Sequence, residues 1–175
     1  MRAFIALDVP ERFADELAAM ARQLSPAVRA RYLPRGNYHL TLAFLGDIGE
    51  AQARDVVAAL DMACAGAGPV ELRPASLGHF GRPRDATLWL GLEAVPGLVE
   101  LAAAVRGELA AAGIAYDAKE FRPHITMARR AQLPREVLPE LAFPQPATAS
   151  AVTLYKSMLD SSGATYKPLY TVELG

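Results

Sequence analysis

The chain has a single cysteine, Cys64. One thiol excludes an internal disulfide scaffold and a cysteine-rich zinc site, and it suits a reducing compartment. Long apolar runs are missing as well. None approaches the ~20 residues a bilayer-spanning helix needs. The N-terminus passes from Arg2 through a short apolar strand to Asp8 and Pro10, which is not the layout of a signal peptide. A cytoplasmic location without membrane contact is the expectation. Neither sign of charge is in excess: 18 Lys and Arg stand against 19 Asp and Glu, for a net charge of −1. Indiscriminate binding to long nucleic acid is therefore not indicated, whereas one small phosphorylated ligand needs only a local cationic patch. No Gly-x4-Gly-Lys-Ser/Thr loop occurs, so ATP is not expected as a cosubstrate, nor any other cofactor. Histidine is scarce, with three in 175 residues.

Two of those three sit in a repeated pattern. In Asn37–Gly46 the run His39-Leu40-Thr41-Leu42 reads as a strand, and Gly46 ends it. Strand side chains alternate between faces, so His39 and Thr41 share one face while Leu40 and Leu42 enter a core. In Phe121–Arg129 the run His124-Ile125-Thr126-Met127 repeats the spacing. One copy alone would be explained by a strand whose polar face meets solvent. Two copies, using two of three histidines, point to paired chemistry. With an unperturbed pKa near ~6.5, one imidazole can hold a proton while the other lacks one. Each threonine hydroxyl can donate to an oxyanion held between them. This set suits in-line attack at a phosphodiester, one histidine activating water and the other protonating the leaving oxygen.

Apolar residues make up 52% of the chain, enough for a respectable core in one compact unit or two small lobes. Residues 2–8 predict a strand. Pro10 and Glu11 open a helix whose stripe of Phe13, Leu17, Met20 and Leu24 runs to about Ser25-Pro26. A short strand over 28–33 and a turn at Pro34–Asn37 lead into the first histidine strand. Residues 50–65 predict a second helix, 70–80 a strand bent at Pro74, and 86–92 its hairpin partner. Residues 97–112 predict a third helix ended by Gly113. The second histidine strand spans about 123–128. Residues 130–148 hold several prolines and predict a loop with one short helical turn. Two final strands, 149–159 and 166–174, join through Ser161-Ser162-Gly163. Helices and strands in this order predict an α+β fold, and no linker divides residues 1–175 into independent domains.

Beyond the two motifs, several segments carry a resemblance in order along the chain. They are Arg2–Pro10, Tyr32-Leu33-Pro34, Phe44-Leu45-Gly46, Leu88-Trp89-Leu90-Gly91, Phe121-Arg122-Pro123-His124 and Leu154-Tyr155-Lys156-Ser157. Together they resemble the 2H phosphoesterase superfamily, and within it the RNA 2′,3′-cyclic phosphodiesterases also called 2′-5′ RNA ligases. The resemblance implies a two-lobed, pseudo-symmetric α+β fold: two mainly antiparallel sheets, outer helices, and a central cleft lined by both histidine strands. It implies hydrolysis of an RNA or nucleotide 2′,3′-cyclic phosphate to a 2′-phosphomonoester without metal, with reversible 2′-5′ ligation. His39, Thr41, His124 and Thr126 would be catalytic, with His124 as the base and His39 as the acid, although the symmetry of the motifs lets the roles swap. The expected partners are RNA 2′,3′-cyclic phosphate ends or small cyclic nucleotides, bound by a monomer. One position departs: Ala43 stands where many members carry a basic residue. Rival readings are a 2H enzyme for another cyclic phosphate or 2′-5′ oligonucleotide, a non-catalytic RNA-end or nucleotide binding module, and a structural or partner-binding protein.

Other residues remain open. Strict alternation from His124 brings Arg130 rather than Arg129 to the cleft, unless the strand bulges. Arg122 is in phase with His124. Tyr32 and Phe80 could stack on a base. Arg82 and Arg84 are loop charges able to guide an anion. Trp89, between leucines, reads as packing. Cys64 lies in an apolar helical pattern and reads as buried structure. His79 has no ligand-type neighbour in sequence and reads as a loop-edge histidine rather than a third metal ligand.

Overall fold

Three amphipathic helices and ten strands account for the chain, whose computed structural model describes residues 1–175. Strand β1 (Arg2–Asp8) leads through Pro10 into α1 (Glu11–Leu24), where Phe13, Leu17, Met20 and Leu24 are buried at the expected spacing. Strand β2 (Arg29–Tyr32) and a 3-10 turn (Arg35–Asn37) precede β3 (His39–Asp47). Helix α2 (Glu50–Cys64) follows, then β4 (Val70–Leu72) and β5 (Pro74–Arg82), separated at the bend that Pro74 predicts. A tight hairpin returns as β6 (Asp85–Leu92), and Pro96 starts α3 (Pro96–Ala111). The rest is β7 (His124–Gln132), β8 (Ala147–Ala149), β9 (Ala151–Asp160) and β10 (Gly163–Glu173).

The strands form two four-stranded antiparallel sheets, ordered β10-β9-β1-β3 and β2-β7-β6-β5, with a small β4-β8 ribbon. Each sheet carries one histidine strand, and β3 meets β7 where the lobes face each other. Helices α2 and α3 pack together, and α3 also reaches β3. One continuous apolar cluster runs through both sheets, including Ile5, Leu40, Leu42, Leu90, Ile125 and Met127. Tyr38 and Cys64 belong to it, so both are structural, and burial pushes the Cys64 thiol up.

Two expectations need correction. The second histidine strand does not stop near residue 128 but runs on to Gln132. The helical turn expected within 130–148 does not form. Its backbone groups are taken instead by side chains of α1: Gln23 accepts from Ala142 N–H, Glu16 accepts from Gln145 N–H, and Arg12 donates to the Pro146 carbonyl. A segment rich in proline cannot complete a ladder of its own, so its polar backbone is satisfied from a neighbouring element.

Candidate active site

Both histidine strands bulge at the same place. Thr41 lies opposite Ala6 and Ala43 opposite Ile5, so Leu42 is the extra residue in β3. Thr126 lies opposite Trp89 and Ala128 opposite Leu88, so Met127 is the extra residue in β7. A bulge lets two successive side chains fall on one face. Leu42 with Ala43, and Met127 with Ala128, are all buried in the core. The phase therefore inverts after the bulge. The cleft receives His39, Thr41 and Phe44 from β3, and His124, Thr126 and Arg129 from β7.

This inversion corrects the choice between the arginines. Arg129 faces the cleft and Arg130 does not line it, against strict alternation. Arg130 occupies the left-handed region, φ 52°, which turns the chain before buried Ala131. The signal was present in the sequence as two consecutive apolar residues after each threonine. The departure at Ala43 also resolves: its side chain points into the core and contacts nothing in the cleft. Phe44, half exposed, holds the cleft position that corresponds to Arg129.

Each histidine is pinned in the same way. His39 Nδ1 donates to the Asn37 carbonyl at 2.8 Å, and His124 Nδ1 donates to the Arg122 carbonyl at 2.6 Å. A carbonyl only accepts, so the Nδ1 proton is fixed and Nε2 is left for the cleft. Aromatic rings complete the setting. Phe4 and Tyr166 pack on His39 with centroids 4.7 and 5.1 Å away, while Phe80 and Trp89 pack near His124 at 5.3 and 5.8 Å. Burial pushes the His39 imidazole down to about 4, and the charges of Arg129 and His124 push the same way against the Asn37 hydrogen bond. The unliganded protein thus holds His39 neutral.

The cleft has two chambers that share Thr41, Phe44, Asp117, His124, Thr126 and Arg129. One, about 630 Å³, adds His39, Phe4, Arg2 and Tyr166. The other, about 550 Å³, adds Phe80, Phe121, Arg106, Lys119 and Arg122. Arg106 crosses from α3 to donate to the Leu42 carbonyl, at the bulge, and to the Lys119 carbonyl.

Other expected residues fall variously. Arg122 serves through its carbonyl, while its exposed side chain lies 3.9 Å from Glu120 at the second chamber. Tyr32 does not reach the cleft. It pairs with Ala128, whose face is the core, and its hydroxyl donates to the Val28 carbonyl. Phe80 lines the second chamber, as a stacking role requires. Trp89 leaves the core to Leu88 and Leu90, and its indole packs instead beside His124. His79 pairs with Leu88, on the reverse face from Phe80 and Trp89. No three His, Cys, Asp or Glu side chains gather in an arrangement suited to a metal ion. No helix is long and apolar enough to cross a membrane. Asp117 and Tyr166 line the cleft without any motif to announce them, whereas Arg2, Phe4 and Phe44 come from segments that carry the resemblance.

Two antiparallel sheets, each presenting one His-x-Thr strand to a shared cleft, define a 2H phosphoesterase fold. Similarity to known proteins agrees. Residues 9–160 match the model of the 2'-5' RNA ligase superfamily. The chain is 30% identical to the RNA 2',3'-cyclic phosphodiesterase of Thermotoga maritima, covering 97% of this chain and 94% of that protein. A crystal structure from Thermus thermophilus superposes with a TM-score of 0.83 at 28% identity, covering 99% of this chain and 98% of that one. Escherichia coli LigT complexed with 3'-AMP superposes with a TM-score of 0.82 at 28% identity, covering 99% and 97%. The chain belongs to the 2'-5' RNA ligase superfamily.

Proposed function

We propose that this protein hydrolyses a 2′,3′-cyclic phosphate at an RNA or nucleotide end, leaving a 2′-phosphomonoester. The observation that carries the reading is the matched pair of imidazoles on one cleft, each with Nδ1 tied to a backbone carbonyl and Nε2 free. Similarity to enzymes named RNA 2',3'-cyclic phosphodiesterases supports the substrate.

In this reading His124 Nε2 takes a proton from water as its oxygen attacks phosphorus, and His39 Nε2 protonates the departing O3′. His124 has the exposed backbone bond and His39 the partly buried one, which fits a base that meets water and an acid that meets the ribose. Neutral His39 must first gain its proton. The phosphate anion, arriving between the imidazoles, offsets the burial and the Arg129 charge that hold His39 neutral. An imidazolium proton is far more acidic than the alcohol it forms, so it passes readily to the departing alkoxide. Thr41 and Thr126 donate to the non-bridging oxygens, and Arg129 balances the anion's charge. Both proton transfers come from the chain itself, so the reading needs no metal. One histidine from each lobe means that residues 1–175 act as one two-lobed domain, and one chain completes the cleft, so a monomer suffices.

A second direction is supported by the chamber beyond His124, whose 550 Å³ and rings Phe80 and Phe121 exceed what a water molecule needs. A nucleotide hydroxyl in place of water would give a 2′-5′ linkage, with the proton transfers reversed in cleavage. The test is product analysis on a nucleoside 2′,3′-cyclic phosphate with EDTA present. A 2′-phosphate product and undiminished turnover are expected. A 3′-phosphate, or loss of turnover with EDTA, would overturn the reading. Binding without hydrolysis would favour a binding module.

A further inference from the structure

Trp89 is the one tryptophan in the chain, and its indole occupies space that two glycines leave open. A Cβ at Gly78 would stand 2.1 Å from indole Cη2 and 2.4 Å from Cζ2. A Cβ at Gly91 would stand 3.0 Å from Cζ3 and 3.2 Å from the Ser76 carbonyl oxygen. Gly78 lies directly opposite Trp89, and Gly91 directly opposite His124. Any larger residue at Gly78 is incompatible with the ring's position. The indole Nε1 is buried without a hydrogen-bond partner. An orphaned donor of this kind costs about 1–3 kcal/mol, so hydrogen bonding does not explain the placement. The ring instead fills the floor beside His124, 5.8 Å between centroids, together with Phe80, which lies 5.2 Å from the indole and edge-on to the imidazole at 89°.

We propose that Trp89, seated over Gly78 and Gly91, is the positioning residue for His124: it limits the rotation of the imidazole about its Arg122 hydrogen bond and so aims Nε2 at the cleft. The backbone bond fixes one nitrogen but leaves the ring plane to be set by what packs on it. On the other lobe Phe4 packs on His39, at 4.7 Å, from a different register position. The inference rests on the two-histidine reading for its kinetic consequence, but not for its structural one.

The experiment compares Trp89→Phe, Gly78→Ala and their combination with the wild type. Trp89→Phe keeps an apolar ring and lacks the outer atoms that meet Gly78. Small misplacements of a reacting group cost up to ~10²-fold, so Trp89→Phe is expected to lower kcat about ten-fold with KM within about two-fold. Gly78→Ala should lower kcat at least as far by displacing the indole. The double variant should match Trp89→Phe alone, because the clash is gone, giving a strongly non-additive cycle. Proton NMR of the unliganded protein supplies a readout free of activity. NOEs between the His124 ring protons and the Phe80 ring, whose centroid lies 5.3 Å away, should weaken in both single variants while those between His39 and Phe4 stay. Unchanged His124 NOEs, or a wild-type kcat in folded Trp89→Phe and Gly78→Ala, would overturn the proposal. A wild type without cyclic phosphodiesterase activity would sink the proposed function, and the NMR comparison would still decide the placement of His124.

Discussion

Protonating His39 should destabilise the folded protein by an amount the site sets. The imidazole is packed between Phe4 and Tyr166, and burial lowers it from 6.5 to about 4. Between those values the unfolded chain binds a proton that the folded chain refuses. The stability due to neutral His39 is therefore complete above its unfolded value and is lost as pH falls through about 4. Integrating between the two gives a loss of about 2.5 kcal/mol at about pH 4.5, approaching roughly 3.4 kcal/mol at lower pH. His39→Gln removes the titration while keeping a polar side chain of comparable reach. Urea unfolding of both proteins at about pH 7.5 and about pH 4.5 isolates this group, because the other titrating groups are common to both. The wild type should lose about 2.5 kcal/mol more than His39→Gln between the two conditions. Equal losses would mean that His39 is not held neutral by burial, and the proton uptake proposed on substrate binding would fall with it.

His39→Ala and His124→Ala should each lose at least ~10²–10⁴-fold in turnover, the double variant less than the product of the two, and His79→Ala almost nothing. If His79→Ala falls as far while remaining folded, a three-histidine site becomes the better account. Thr41→Val and Thr126→Val keep shape and delete a donor, so steady-state assays should find losses of at most about 3–4 kcal/mol in transition-state stabilisation. Arg129→Ala should lower kcat/KM well below that of Arg130→Ala, which points away from the cleft; the opposite order would contradict the shared bulge. Arg130→Gly should raise stability in urea by roughly 1 kcal/mol, since glycine accepts the left-handed backbone without a Cβ penalty.

Most elements, and the catalytic candidates, were legible from local pattern alone. Period-3.6 stripes such as Phe13-Leu17-Met20-Leu24 and alternation such as His39-Leu40-Thr41-Leu42 are local, set by which face a side chain takes along its own element. The paired spacing in His39/Thr41 and His124/Thr126 was legible for the same reason. Tertiary structure decided what depends on neighbours. The bulges at Leu42 and Met127 exist only in register with β1 and β6, and they move Arg129 and Phe44 into the cleft while turning Arg130 and Ala43 away. Tyr32 is drawn from the cleft because its partner strand places it beside Ala128. Trp89 sits between two leucines in sequence, yet the room for its indole comes from Gly78 on another strand and from Gly91 opposite His124. The depressed basicity of His39 comes from rings on β1 and β10, more than thirty residues away on either side, because burial is a property of the assembled surroundings and not of the strand that carries the residue.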